Sequence, residues 1–143
     1  RRAESLGLYL RLVKRIAVQL RYTAAPIGDI VSDPALVREF SGLAAFSEAV
    51  RAVRVADFPT AWQQGLQKGV KLDSLTEQDA EILLAFGRSI GTTDLEGQIA
   101  HCEMYSEILE ERLSLAKTEQ EKKGKLCRMM GLSAGLALAI LLI

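Results

Sequence analysis

The sequence has few of the residues from which active sites and metal sites are usually built. Its 143 residues include one His, two Cys and one Trp. Cys102 and Cys127 form no C-x-x-C pair, and with His101 as the single imidazole they cannot make a zinc site. No phosphate-binding loop G-x-x-x-x-G-K-[ST] occurs. We therefore predict no enzyme, no cofactor and no metal, and the two isolated thiols favour a reducing compartment.

Charge is balanced overall but is unevenly placed along the chain. The formal net charge is zero, yet residues 1–21 carry six basic groups against one acid, and residues 94–121 carry eight acids against two bases. Because the basic segment lacks clustered aromatic side chains that would stack on bases, we expect no nucleic-acid partner. The early basic residues are expected either to lie near anionic headgroups or to pair with the later acids.

The last fifteen residues, 129–143, contain no charged side chain. A helix over 126–143 would be about 27 Å long, which just spans a hydrocarbon core of about 30 Å. A basic cluster of the kind that stays on the cytoplasmic side precedes it: Lys122, Lys123, Lys125 and Arg128. We expect a single C-terminal membrane pass with the preceding domain in the cytoplasm. The alternative is a buried core helix, since fifteen apolar residues are few for a span.

Apolar residues recur at helical spacing along almost the whole chain, and proline is scarce, with three residues. The first helix is expected to end near Ala24, Pro26 to lie in the first turn of a short second helix, and Gly42 to interrupt the next apolar segment. Three further start signals each place an acid or a hydroxyl at the N-cap: Asp33 before Pro34, Asp57 before Pro59, and Thr76 in a capping box with Asp79.

These patterns predict an all-α fold, an antiparallel bundle of about six helices whose long last helix continues into the membrane. We expect a cytoplasmic bundle domain at 1–117, a polar stalk at 118–125 and a transmembrane helix at 126–143. Gly124 is a candidate hinge between the stalk and the membrane.

A turn is predicted between the last two helices. Gly91 is expected to adopt a positive φ at the helix end, and Asp94 to accept N–H bonds from the first turn of the next helix. Gln98 either bonds back across this turn or lies at the surface. Trp62 lies on an apolar helix face and is interpreted as a core anchor; contact with a partner is the lesser alternative.

Four acids lie on neighbouring turns of the predicted last helix: Glu103, Glu107, Glu110 and Glu111. Carboxylates at this spacing could bind a metal or act as acid and base, but no His lies three residues on and no second acidic helix accompanies them. We interpret them as a solvated face. The alternative is a docking strip for a basic partner.

Four short patterns, in their order and spacing, resemble the stage III sporulation protein AB family. The similarity covers essentially the whole chain. Gln19 and Cys127 depart from the family, where an acid and an aromatic are usual, and the second departure bears on the membrane boundary. The patterns are Leu20-x-Tyr22-x-x-x-Pro26-Ile27, Ala61-Trp62-x-x-x-Leu66, Phe86-Gly87-x-x-Ile90-Gly91-x-x-Asp94-x-x-x-Gln98, and KLCRMMG from Lys125 to Gly131.

The resemblance implies a membrane protein of endospore-forming bacteria, made in the mother cell and part of the channel complex that links mother cell and forespore. The family's helical domain is similar to the cytoplasmic domains of the platform protein of type II secretion and type IV pilus machines, which implies a scaffold. The implied partners are the secretion-type ATPase of the same complex, other channel subunits and membrane lipids. Because the family normally has an N-terminal membrane helix, we expect one to be missing before Arg1.

Two other functions remain open at this point. The chain could be a membrane-tethered regulatory or ligand-binding helical accessory protein, or a homo-oligomer that forms a coiled coil through its stalk. Measuring the particle mass in detergent separates them, because a ring of copies is large and a ligand-binding accessory stays small.

Overall fold

The computed structural model describes residues 1–91 and 93–142, the last of them by its backbone alone, and the regular structure in this part of the chain is entirely helical. The predicted all-α fold is therefore confirmed. There are seven described helices because the segment around Gly42 breaks the third predicted helix into two. They are α1 (Arg2–Thr23), α2 (Ile27–Val31), α3 (Pro34–Glu39), α4 (Ala44–Ala52), α5 (Phe58–Gly69), α6 (Glu77–Ile90) and α7 (Leu95–Leu142).

The three predicted N-cap residues all precede their helices as expected, but only two of them make the capping bond through the side chain. The Asp57 carboxylate accepts from the Thr60 backbone N–H at 3.0 Å. Thr76 and Asp79 make both bonds of the capping box, each at 3.1 Å. The Asp33 side chain makes no capping bond. The six-residue α3 instead begins with Pro34, whose ring fixes a helical φ and which has no N–H to satisfy.

Neighbouring helices run antiparallel, as the contacts between them show. Three ion pairs join α1 to α7, and the residue numbers fall along α7 as they rise along α1, so the two helices are antiparallel. The pairs are Arg2 with Glu119, Lys14 with Glu110 and Arg21 with Glu103. The same reversal holds for α6 and α7, where Asp79 pairs with Arg112 and Ser89 lies 3.5 Å from the Tyr105 hydroxyl. The predicted antiparallel bundle is thus observed.

Trp62 lies in the core of the bundle, and its predicted role as an anchor is confirmed. Only 2% of its surface is exposed, and its indole N–H donates to the Leu83 carbonyl at 2.7 Å. Three aromatic rings surround it, those of Tyr9, Phe58 and Phe86, with centroids 5.5 to 6.4 Å away. Burial of this ring joins α1, α5 and α6 into one core.

Helix α7 runs without a break from the bundle to the C-terminal apolar segment. Its last buried side chain is Ala116, and every described side chain from Lys117 to Leu141 is exposed. At 1.5 Å per residue, about 28 Å of helix, residues 124–142, projects beyond the groove that Lys123 shares with the start of α1. The hinge predicted at Gly124 is absent, because good helix formers on both sides outweigh the cost of about 1 kcal/mol for one glycine.

Candidate interaction surfaces

The four predicted docking acids are all exposed on α7, and two of them already have partners on α1. Arg21 donates to the Glu103 carboxylate, and the Lys14 ammonium lies 3.3 Å from the Glu110 carboxylate. The expectation that early basic residues pair with later acids is confirmed for these two. Such exposed pairs contribute little to stability.

The remaining two docking acids are left to solvent. Within the described residues, the side chains of Glu107 and Glu111 make no hydrogen bond or ion pair. They lie four residues apart on the same helix, a spacing at which like charges repel. The part of the predicted strip that is available to a partner is therefore this pair.

Two predicted hydrogen bonds form at the start of α7, in the turn that follows α6. The Asp94 carboxylate accepts from the Gly97 N–H at 2.8 Å, which confirms its capping role. The Gln98 amide donates to the Thr93 carbonyl at 3.2 Å and so bonds back across the turn. Thr92, which lies in the same turn, is outside the described residues.

The structure requires a glycine at position 91 for a reason other than the predicted one. Its φ is −75°, so the prediction of a positive φ is wrong. A Cβ at this position would collide with the Pro59 ring, and one at Gly87 would collide with the indole of Trp62. Both glycines therefore permit α5 and α6 to approach closely.

Tyr22 and Pro26, both part of the family resemblance, lie at the end of the bundle where α1 stops. Tyr22 is 85% exposed, and Pro26 is the N-cap of α2 with φ −56°. Between them, Ala24 has a φ of 49° and ends α1 in the left-handed conformation. This left-handed cap could not be predicted from the sequence, because alanine rarely adopts such a φ.

A buried aspartate that sequence reasoning missed holds three helices together. Asp73 is fully buried and accepts from the Tyr9 hydroxyl at 2.7 Å. It also accepts from the Ala44 and Ala45 N–H groups at 2.8 and 3.0 Å, and so caps α4 from a distant loop. Burial, and next the Asp73 charge, raise the pKa of Tyr9 well above its usual range. No local pattern marks this cap, because cap and helix are far apart in sequence.

Besides its predicted place in the capping box, Asp79 has a role that sequence reasoning missed, because it joins the starts of α1 and α6 to α7. Arg2 donates to it at 2.7 Å and Arg112 at 3.0 Å. Burial by itself would raise the pKa of Asp79, but the bonds from Arg2, the Thr76 N–H and Arg112 outweigh burial, and the pKa falls to about 2. The hydrogen bond from Arg2 to the Asp79 carboxylate also raises the pKa of Arg2. The network locks the end of the bundle from which α7 leaves.

The C-terminal end of α7 is apolar from Met129 onward, and this part of the helix, with the residues just before it, is long enough to cross a membrane. An 18-residue window has a mean hydropathy of 1.4, and none of that window is buried in the protein. The alternative of a buried core helix is therefore wrong. The four basic residues before it, Lys122, Lys123, Lys125 and Arg128, are exposed along the same helix.

Little in the described structure offers catalytic or metal chemistry. Among the described residues, no group of three or more His, Cys, Asp and Glu could hold a metal ion. Cys102 is fully buried, and burial raises its thiol pKa to about 12, so it is a poor nucleophile. Cys127 is exposed on the projecting helix.

Comparison with known proteins identifies the family. All 143 residues match the family model described as stage III sporulation protein AB. One similar protein is Stage III sporulation protein AB of Bacillus subtilis (strain 168), which is 35% identical over 83 residues. The alignment covers 58% of this chain and 48% of that relative, so the match spans about half of the relative's length. No solved structure is significantly similar. The chain belongs to the stage III sporulation protein AB family.

Membership assigns the chain a role in sporulation. The family name refers to a stage of development and not to a reaction, which points to a role other than catalysis. A candidate membrane-spanning helix fits a membrane-associated sporulation protein.

Proposed function

We propose that this protein is a non-enzymatic, membrane-anchored scaffold of the channel complex between mother cell and forespore. It couples a cytoplasmic secretion-type ATPase to the membrane subunits, as a platform protein does in secretion machines. One observation carries the proposal: α7 packs in the bundle core at Cys102 and Leu109 and continues unbroken into an exposed apolar segment. A bundle attached in this way has a fixed place at the membrane.

The orientation follows from charge. Four basic residues lie between the bundle and the apolar segment, and basic residues next to a span stay in the cytoplasm. The bundle then lies in the mother-cell cytoplasm, where a cytoplasmic ATPase can reach it. Two isolated thiols, one of them exposed, suit that reducing compartment.

Deleting residues 129–143 tests the anchor. The bundle core ends at Ala116, so the truncated protein should remain folded and soluble, should still bind the ATPase and should lose its place at the septal membrane. Circular dichroism and the emission of Trp62 report folding, and membrane fractionation reports location. A truncated protein that aggregates or unfolds would show that the apolar segment belongs to the core.

The docking surface for the ATPase is proposed on α7, at the two acids without an internal partner. Glu107 and Glu111 present two exposed like charges on successive turns, and a basic partner surface would relieve their repulsion. Glu103 and Glu110 border the same surface, but their pairs with α1 would have to open before they could serve a partner.

Charge reversal tests this surface. The double variant Glu107→Lys/Glu111→Lys should slow association with the ATPase and weaken its dependence on salt, because long-range attraction steers such encounters. A matched control, Glu77→Lys/Glu81→Lys, reverses two exposed acids at the same spacing on α6 and should leave the rate unchanged. Equal effects of the two variants on the rate and its salt slope would place the docking surface elsewhere.

A further inference from the structure

Three segments meet at the end of the bundle from which α7 leaves. The Arg1 guanidinium donates to the Leu72 carbonyl at 3.2 Å, which ties the loop between α5 and α6 to the start of α1. Arg2 in turn lies 3.3 Å from the Glu119 carboxylate on α7. The loop 70–75 is therefore level with the base of the projecting helix.

Internal bonds fix loop 70–75 so that Leu72 points outward. Asp73 is fully buried by its bonds to Tyr9 and to the start of α4. The Leu75 N–H donates to the Val70 carbonyl at 3.2 Å, which closes the loop on itself. Leu72, next to the inward Asp73, is 65% exposed. A large apolar side chain is thus held in solvent by a rigid loop, and the bundle itself offers it no cover.

The distance along α7 puts this leucine at the membrane surface. Arg1 and Lys123 line the same groove, so Lys123 marks the level of Arg1 and its partner Leu72. From Lys123 to Leu126 is about 4.5 Å and to Met129 about 9 Å along the helix. The headgroup layer is roughly 5 to 7 Å thick on each side of the hydrocarbon core. Leu72 therefore lies within reach of the boundary between headgroups and acyl chains.

The exposed charge at this end of the bundle is mainly positive. Lys71 is exposed beside Leu72, and the base of α7 adds further lysines. Such a surface attracts anionic headgroups, at about 1 kcal/mol for each basic residue close to the bilayer. The exposed residues are Arg1, Lys71, Lys117, Lys122, Lys123 and Lys125, against Glu4, Glu77, Glu119 and Glu121.

We propose that loop 70–75 is a membrane contact of this protein in addition to α7. Leu72 inserts at the headgroup boundary of an anionic bilayer, and Lys71 pairs with a lipid phosphate. The loop and α7 then hold the bundle at two points, which sets its tilt on the membrane as well as its position. The inference rests on the C-terminal span of the proposed function.

An environment-sensitive probe on the chain of residues 1–143 tests the contact. In a Cys127→Ser background, Leu72→Cys carries an NBD fluorophore, while buried Cys102 with its raised pKa stays unlabelled. The matched control is Tyr22→Cys, also highly exposed but at the far end of α1. Each protein is placed in phosphatidylcholine vesicles with and without phosphatidylglycerol, and headgroup-labelled nitroxide lipid serves as a quencher.

In vesicles that contain phosphatidylglycerol, the probe at position 72 should shift to the blue relative to detergent and be quenched, and the probe at position 22 should show neither effect. Adding Lys71→Glu should reduce the quenching to its level without phosphatidylglycerol. Equal emission and quenching at positions 72 and 22 in vesicles that float with the protein would overturn the loop contact and leave the anchor intact. Protein that fails to float with the vesicles would refute the anchor, and the loop contact with it.

Discussion

Replacing Asp79 by Asn should destabilise the bundle in a way that depends on pH. The substitution keeps the shape of the side chain and removes its charge. Arg2 and Arg112, which are about one-fifth exposed, then lose their shared carboxylate. Because both guanidinium groups can still turn toward water, the loss should stay below that of breaking a fully buried pair.

The magnitude follows from the pKa of Asp79. A fall from the ordinary value of 3.8 to about 2 corresponds to about 2.4 kcal/mol of stability at pH 7. The folded state has the lower pKa, so this contribution is complete above the unfolded pKa and is lost as the pH falls through the folded pKa. By linkage it is about 1.3 kcal/mol at pH 3 and close to zero below pH 2.

The assay is urea unfolding of the chain of residues 1–143 in mild detergent, followed through Trp62. As the single tryptophan, buried and bonded to Leu83, it reports the unfolding of the bundle alone. Subtracting the free energy of unfolding of Asp79→Asn from that of the wild type at each pH cancels the other carboxylates. A difference that stays constant between pH 7 and pH 3 would refute the ion-pair account and leave only the capping bond.

Three further predictions concern the turn, the helix contacts and the thiols. Asp94→Ala should cost about 1 kcal/mol through the lost cap, measured by the same unfolding assay. Gly87→Ala should cost about 1 to 3 kcal/mol because its methyl group meets an indole, whereas Gly28→Ala, with no atom within 4 Å, should cost far less. In the folded protein a maleimide should label Cys127 rapidly and Cys102 only after unfolding; fast labelling of both would contradict the burial of Cys102.

Local signals in the sequence predicted most of the helix starts and the main core anchor. Thr76 and Asp57 cap their own helices within three residues, so the whole interaction lies in a short window. Trp62 lies on an apolar helix face, and periodicity suffices to bury it. These features depend on neighbours along the chain, which is why they could be predicted.

Features that depend on distant residues could not be predicted. Asp73 caps α4 from the loop after α5, and Asp79 bonds to arginines on two other helices. Gly91 is required by the ring of Pro59, a residue of another helix, and not by its own backbone angle. The acidic face was visible as a pattern, but only the packing of α1 on α7 divides it into paired and unpaired carboxylates.

The unbroken α7 also has a mechanical consequence. A flexible joint above the membrane would let the bundle swing without disturbing the span, whereas a continuous rod acts as a lever. With about 28 Å of helix beyond the bundle, a 10° rotation at one end displaces the other by about 5 Å. Torque applied to the bundle would therefore reach the bilayer. Conversely, a change in the packing of the membrane-spanning segment would rotate the bundle.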